Sequence, residues 1–131
     1  MLDHVSVTVT DLARAEEFYD AVFLALGVCK VGTDFENGWI GYGERADEHR
    51  PDLTYFSIRL GLQPDDATRR HWCFKASSRK EVDAFWRNGI LKGGICNGQP
   101  GLHDYHRSYY AAFLRDPEGN RIEAVCHKAE D

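Results

Sequence analysis

An internal repeat constrains this chain more than any single motif. Displacing the sequence by 67 positions lays His71 on His4, Ser78 on Asp11, and Phe85-Trp86 on Phe18-Tyr19 without a gap. Each unit is then about half of 131 residues, too small to close a core alone, so the two must share one. The repeat sets one domain, 1–131, with module one at 1–60, a Pro-Asp-containing linker at 61–70, and module two at 71–131.

The first unit opens with His4-Val5-Ser6-Val7-Thr8-Val9, an alternating strand whose valines form a dry face opposite His4, Ser6 and Thr8. Asp11 caps a helix with apolar positions Leu12, Ala15, Tyr19, Val22 and Leu26, and Gly27 stops it. Strands at 28–36 and 39–44 meet at Asn37-Gly38, a favoured two-residue hairpin turn, and a third strand follows at 53–59. The second unit repeats the order: a strand from His71, and a helix opened by the capping box Ser78-Arg79-Lys80-Glu81 and ending near Asn88-Gly89. A strand near 90–94 and a long loop at 95–106 then lead to the closing hairpin. That hairpin turns at Asp116-Pro117-Glu118-Gly119, and its returning strand carries Glu123 between Ile122 and Ala124. A carboxylate at the centre of an apolar strand is costly to bury without a partner. The fold class is therefore α+β, two tandem βαβββ modules.

Charge and composition exclude several functions. A net charge of −5 disfavours nucleic acid, which is held by Lys and Arg set against phosphates. No apolar run is long enough to span a bilayer and the start lacks a signal peptide's regions, so a cytoplasmic protein is expected. The four cysteines form no Cys-x-x-Cys pair, and Cys73 and Cys126, in apolar strands, read as inert core thiols.

Two modules, a histidine opening the first strand of each, and a closing Asp-Pro-x-Gly-Asn-x-Ile-Glu strand resemble the vicinal oxygen chelate superfamily. That group includes glyoxalase I, extradiol dioxygenases and bleomycin-binding proteins. Asn97-Gly98-Gln99-Pro100-Gly101, Tyr105-His106, Tyr109-Tyr110 and Ile122 to His127 are similar to a bacterial glyoxalase-like branch. The resemblance implies an incomplete cupped barrel with helices outside, a homodimer, and a small-molecule substrate. It also implies a divalent metal ion (Zn, Ni, Mn, Co or Fe) held by His4, His71 and Glu123, and these three share the polar faces of their strands. A fourth ligand would come from the strand at 53–59, which carries no acid; alternation makes Tyr55 or Ser57 the inward residue there.

The expected function is that of a metal-dependent glyoxalase-like lyase or isomerase that chelates adjacent oxygens of a metabolite and stabilises an enediolate or alkoxide. The alternatives are a metal-free binding protein of the bleomycin-resistance kind and an Fe(II) extradiol-type dioxygenase. Glu123, His106 and Tyr110 are the candidate catalytic residues. Only one of Tyr109 and Tyr110 can face the cup, and Tyr110, which begins the regular run, is favoured. Tyr55, Ser57, Arg59, Tyr109 and His127 are candidate substrate contacts, whereas His49 and His103, in polar segments, read as solvated.

Overall fold

The structure, a computed structural model, describes residues 1–62 and 70–130. Most of the expected linker thus lies outside the described residues. Module one runs β1 (His4–Val9), α1 (Leu12–Ala25), β2 (Lys30–Asp34), β3 (Trp39–Gly43) and β4 (Tyr55–Leu60). Module two repeats it as β5 (His71–Lys75), α2 (Arg79–Leu91), β6 (Ile95–Leu102), β7 (Tyr110–Arg115) and β8 (Arg121–Cys126). Each module makes its own four-stranded sheet, ordered β1-β4-β3-β2 and β5-β8-β7-β6, and the two sheets do not join into a barrel. In each, the first and last strands pair in parallel, and the remaining pairs are antiparallel.

Local chemistry accounts for the helix starts. Asp11 accepts a hydrogen bond from the Arg14 N–H at 3.1 Å, and Ser78 accepts one from the Glu81 N–H at 3.2 Å. The Glu81 carboxylate returns to the N–H of Ser77, one residue outside the usual capping box. Helix α2 does not end at Gly89. It continues to Leu91 and stops at Gly93, whose φ of 92° only glycine adopts freely, so the strand expected at 90–94 is helix end and turn. The segment expected to be a loop is strand β6, paired with β7 through two register shifts that its glycines and Pro100 disguise in the sequence.

Gly89 is in the helix because of what faces it. A Cβ at that position would collide with Leu114 and press on Val22 and Phe18. Asn88 donates its side-chain N–H to the carbonyl of Ala21 at 3.0 Å. Under the repeat, Asn88 matches Ala21 and Gly89 matches Val22, so α1 and α2 cross at equivalent positions. One core results, joining Phe18, Tyr19, Val22 and Ile58 of the first module to Phe85, Leu114 and Ile122 of the second. Phe56 and Phe74, on the helix-facing sides of β4 and β5, meet edge to face at 5.3 Å.

The closing turn fastens the modules. Asp116 is fully buried and its carboxylate accepts the Tyr19 hydroxyl at 2.7 Å, the Asn120 side-chain N–H at 2.8 Å, and the backbone N–H groups of Glu118 and Asn120. Burial pushes this carboxyl above its usual range while these donors pull it back. Glu118 takes the N–H groups of Thr10 and Asp11 at the start of α1, and the Asn120 amide reaches the Thr8 carbonyl at 3.2 Å. The Asp-Pro-x-Gly-Asn segment is therefore a clamp on the other module as well as a turn.

Two substitutions test this packing. Tyr19→Phe keeps the ring and removes one donor from a buried carboxylate, and is expected to cost about 1.5–3 kcal/mol in urea denaturation. Helix propensity alone predicts that Gly89→Ala stabilises by about 1 kcal/mol. The crossing predicts instead a net loss, since overpacking typically costs about 1–3 kcal/mol or more. A Gly89→Ala protein more stable than the parent would refute the close crossing.

Candidate functional site

Each sheet turns one side to its helix and leaves the other side open. In β8 the alternation sends Ile122, Ala124 and Cys126 into the core and Glu123 to the open side. Glu123 is nevertheless only 3% exposed, because neighbouring side chains close over it. A carboxylate only accepts hydrogen bonds, so His71 must donate from Nε2, which stands 2.7 Å from Glu123 Oε1. The Tyr109 hydroxyl donates to Oε2 at 2.6 Å. Burial, and then the hydrogen bond to Glu123, hold the Tyr109 phenol well above its ordinary pKa, so it stays protonated near neutrality.

Cys73 is paired across β5 and β8 with Glu123 and shares its open face. The residue keeps exposed surface, contrary to the expectation of a core thiol, while Cys126 is buried as expected. Desolvation first, and the Glu123 carboxylate next, raise the Cys73 thiol, which disfavours a nucleophilic thiolate. Its position was legible: two residues beyond His71, it must point the way His71 points.

Of the adjacent tyrosines it is Tyr109, not Tyr110, that reaches Glu123. Tyr110 stands opposite Cys126 in the β7–β8 register and turns to the helix side, where its hydroxyl donates to Asp83 of α2 at 2.6 Å. Burial first and Asp83 next push its phenol up to about 12. The sequence-based preference for Tyr110 is thereby corrected; the regular run begins at Tyr110, but the turn-side residue before it holds the inward face.

Around Tyr109 lies a ring of imidazoles. His106 Nδ1 accepts the Ser108 N–H at 3.1 Å, which leaves the proton of a neutral ring on Nε2, 2.8 Å from His127 Nδ1. Both rings meet the Tyr109 ring edge to face, at 5.5 Å and 5.4 Å. His103 was not anticipated. Its N–H pairs with the Tyr109 carbonyl and its ring packs on Phe113 at 5.1 Å, because β6 ends beside β7 where the sequence suggested only a loop.

The first module's candidates sit together on their own sheet. His4, Ser6 and Thr8 of β1 are in parallel register with Tyr55, Ser57 and Arg59 of β4. Tyr55 and Ser57 are buried and Arg59 is exposed. His4 is exposed, with Nδ1 2.7 Å from Asp3 Oδ1, and is not gathered with His71 and Glu123. Among the described residues no group of three or more His, Cys, Asp or Glu side chains converges on a metal position. His71 Nε2 and Glu123 Oε1 do converge, but the 2.7 Å between them is spanned by the Nε2 proton, which an ion held by both would have to displace.

Comparison with known proteins agrees with this architecture. A solved glyoxalase/bleomycin resistance protein from Albidiferax ferrireducens T118 is 32% identical, with a TM-score of 0.75 over 97% of this chain and 98% of that one. A glyoxalase/bleomycin resistance protein/dioxygenase family enzyme from Burkholderia phytofirmans PsJN is 18% identical, with a TM-score of 0.66 over 96% and 98% of the two chains. A glyoxalase-related enzyme from Fulvimarina pelagi is 14% identical, with a TM-score of 0.69 over 96% and 87%. At those lower identities the likeness is one of fold. No curated protein sequence matches significantly. The family model described as Glyoxalase/Bleomycin resistance protein/Dioxygenase superfamily matches residues 1–124, and the chain belongs to that superfamily.

Proposed function

We propose that the protein is a metal-dependent enzyme of the glyoxalase type, acting on a small metabolite with adjacent oxygens. The observation that carries this reading is Glu123: a 3%-exposed carboxylate on the open face of a sheet, with one oxygen on His71 and the other on Tyr109. Burying such a group is costly, and a cation shared with an imidazole is one of the few arrangements that repays it. His71 and Glu123 would hold a divalent ion of the Zn, Ni, Mn, Co or Fe group. When bound, that ion would supply Lewis-acid stabilisation of an enediolate or alkoxide.

The chain's own groups then divide the remaining work. Tyr109, kept protonated, is suited to donate a hydrogen bond to a developing oxyanion rather than to act as a base. His106 and His127, in hydrogen-bond contact, offer a route by which a proton can leave the site. Tyr110 has no such role in this arrangement, because its hydroxyl is committed to Asp83.

The third ligand is the open corner. His4 occupies the equivalent place on the other sheet, and α1 and α2 pack against each other between the modules. We therefore place His4 in the site of a second copy, so that each cup closes across a homodimer. The metal-free binding protein is the second reading. It is favoured by one specific fact: the hydrogen bonds from His71 and Tyr109 already satisfy Glu123 without an ion.

Metal analysis of protein purified without chelators separates the two. The enzyme reading expects about one equivalent per chain, at least a tenfold weaker metal affinity in His71→Ala, Glu123→Ala and His4→Ala proteins of retained fold, and a dimer by light scattering. If His4→Ala alone leaves affinity unchanged, the shared site fails; if the parent protein takes up none of these metals, the binding-protein reading replaces the enzyme.

A further inference from the structure

One register row across the open face of module two reads His71 on β5, Arg121 on β8, Arg115 on β7 and Ile95 on β6. The next row on that face is Cys73, Glu123 and Phe113. Two arginines therefore stand directly opposite each other, and one of them is beside His71. Like charges in that position repel, and a fold places them so only at a cost. Neither guanidinium has a hydrogen-bond or ion-pair partner among the described residues.

The acids that neighbour the pair in sequence and register are engaged elsewhere. Glu123 gives one oxygen to His71 and the other to Tyr109. Asp116 is buried among its four donors, and Glu118 is taken by Thr10 and Asp11. Both arginines are half-buried, with the Nε atoms closed off from solvent and unpaired. Their Nη groups are neither closed off nor bonded, so each guanidinium is held by its stem and presents its free end outward. A ligand would meet the Nη groups and leave the Nε atoms as they are.

A single guanidinium fork already satisfies a carboxylate. Two forks side by side match a group with a double negative charge and three free oxygens, which is a phosphate ester. Opposite residues of an antiparallel pair have Cα atoms roughly 4.5–5.5 Å apart, close enough for both side chains to reach one phosphoryl group. We propose that Arg115 and Arg121 together bind the phosphate of a small phosphate monoester on the face that carries His71 and Glu123. This deepens the enzyme reading by naming the class of its substrate, and it rests on that reading for its chemical role. From Arg121, His71 is one strand spacing away, ~4.8 Å, and Glu123 one two-residue step, ~6.8 Å, which suits a short metabolite. Binding of the phosphate itself does not depend on the metal.

The test is an NMR titration of metal-free protein with glycerol 3-phosphate, inorganic phosphate, glycerol and acetate, at a slightly alkaline pH where phosphate is doubly charged. The Arg115 and Arg121 Nε–H signals are followed, each identified through its Arg→Gln variant. Glycerol 3-phosphate and inorganic phosphate are expected to shift both signals saturably, with glycerol and acetate at least tenfold weaker. Arg115→Gln and Arg121→Gln should each weaken glycerol 3-phosphate at least tenfold. Arg121→Lys keeps the stem and the charge but loses the fork, and should weaken it about three- to tenfold with the fold retained by circular dichroism. Arg87→Gln, on α2, should not change it. The Glu123→Ala protein should bind glycerol 3-phosphate at least as tightly as the parent, so a failed metal site and a failed phosphate site give different results. Acetate as tight as the ester, a shift of only one arginine signal, Arg121 variants that bind as well as the parent, or inorganic phosphate bound without the ester would overturn the proposal. So would the absence of any phosphate binding.

Discussion

The structure depends on one buried charge at the seam between its halves. Asp116 gathers four hydrogen-bond donors, and one of them, the Tyr19 hydroxyl, belongs to the other module. A carboxylate removed from water is tolerated only when its lone pairs are filled, so the arrangement is all or nothing. If Tyr19 moves away, an acceptor is orphaned in the core. The turn that carries Asp116 also sends Glu118 to the N-cap of α1 and Asn120 to β1. Glu118 thus supplies a negative charge where the helix N-terminus has unsatisfied N–H groups.

That clamp and the helix crossing work on the same degree of freedom. The crossing at Gly89 brings α1 and α2 together, and the clamp sets where β8 lies relative to β1. With both in place, the helix-facing sides of the two sheets share one apolar core. The open faces keep their polar residues: His4, Ser57 and Arg59 on one, His71, Cys73 and Glu123 on the other. Site chemistry therefore follows from packing. Glu123 can face the open side because Ile122 and Ala124 satisfy the core on the opposite side of the same strand.

A residue's strand and its neighbours along that strand were readable wherever the alternation was clean. His71, Glu123 and the helix caps at Asp11 and Ser78 were placed this way, since side-chain direction in a strand and the N–H deficit at a helix start are local properties. Gly89 and the 95–102 strand were not. A glycine in a helix reads as a stop unless its neighbour across the crossing is known, and a strand with two register shifts loses its period of two. Tyr109 and Tyr110 show the same limit at finer scale, because one step of register exchanges the faces of adjacent residues.

Taken alone, the sequence determined that there are two units of one pattern, that each begins with a histidine-bearing strand, and that a single acid stands in the final strand. These are matters of periodicity and turn chemistry, which act over a few residues. Tertiary structure decided that Asp-Pro-x-Gly-Asn clamps one module to the other, that Tyr109 rather than Tyr110 reaches Glu123, and that His4 stands apart from His71. The clamp depends on surfaces that meet across more than a hundred residues of chain, in the bonds from Thr10 and Asp11 to Glu118, and the choice between the tyrosines on the register of neighbouring strands. No local rule carries that far, because such contacts are chosen by the shape and charge of the surfaces that meet.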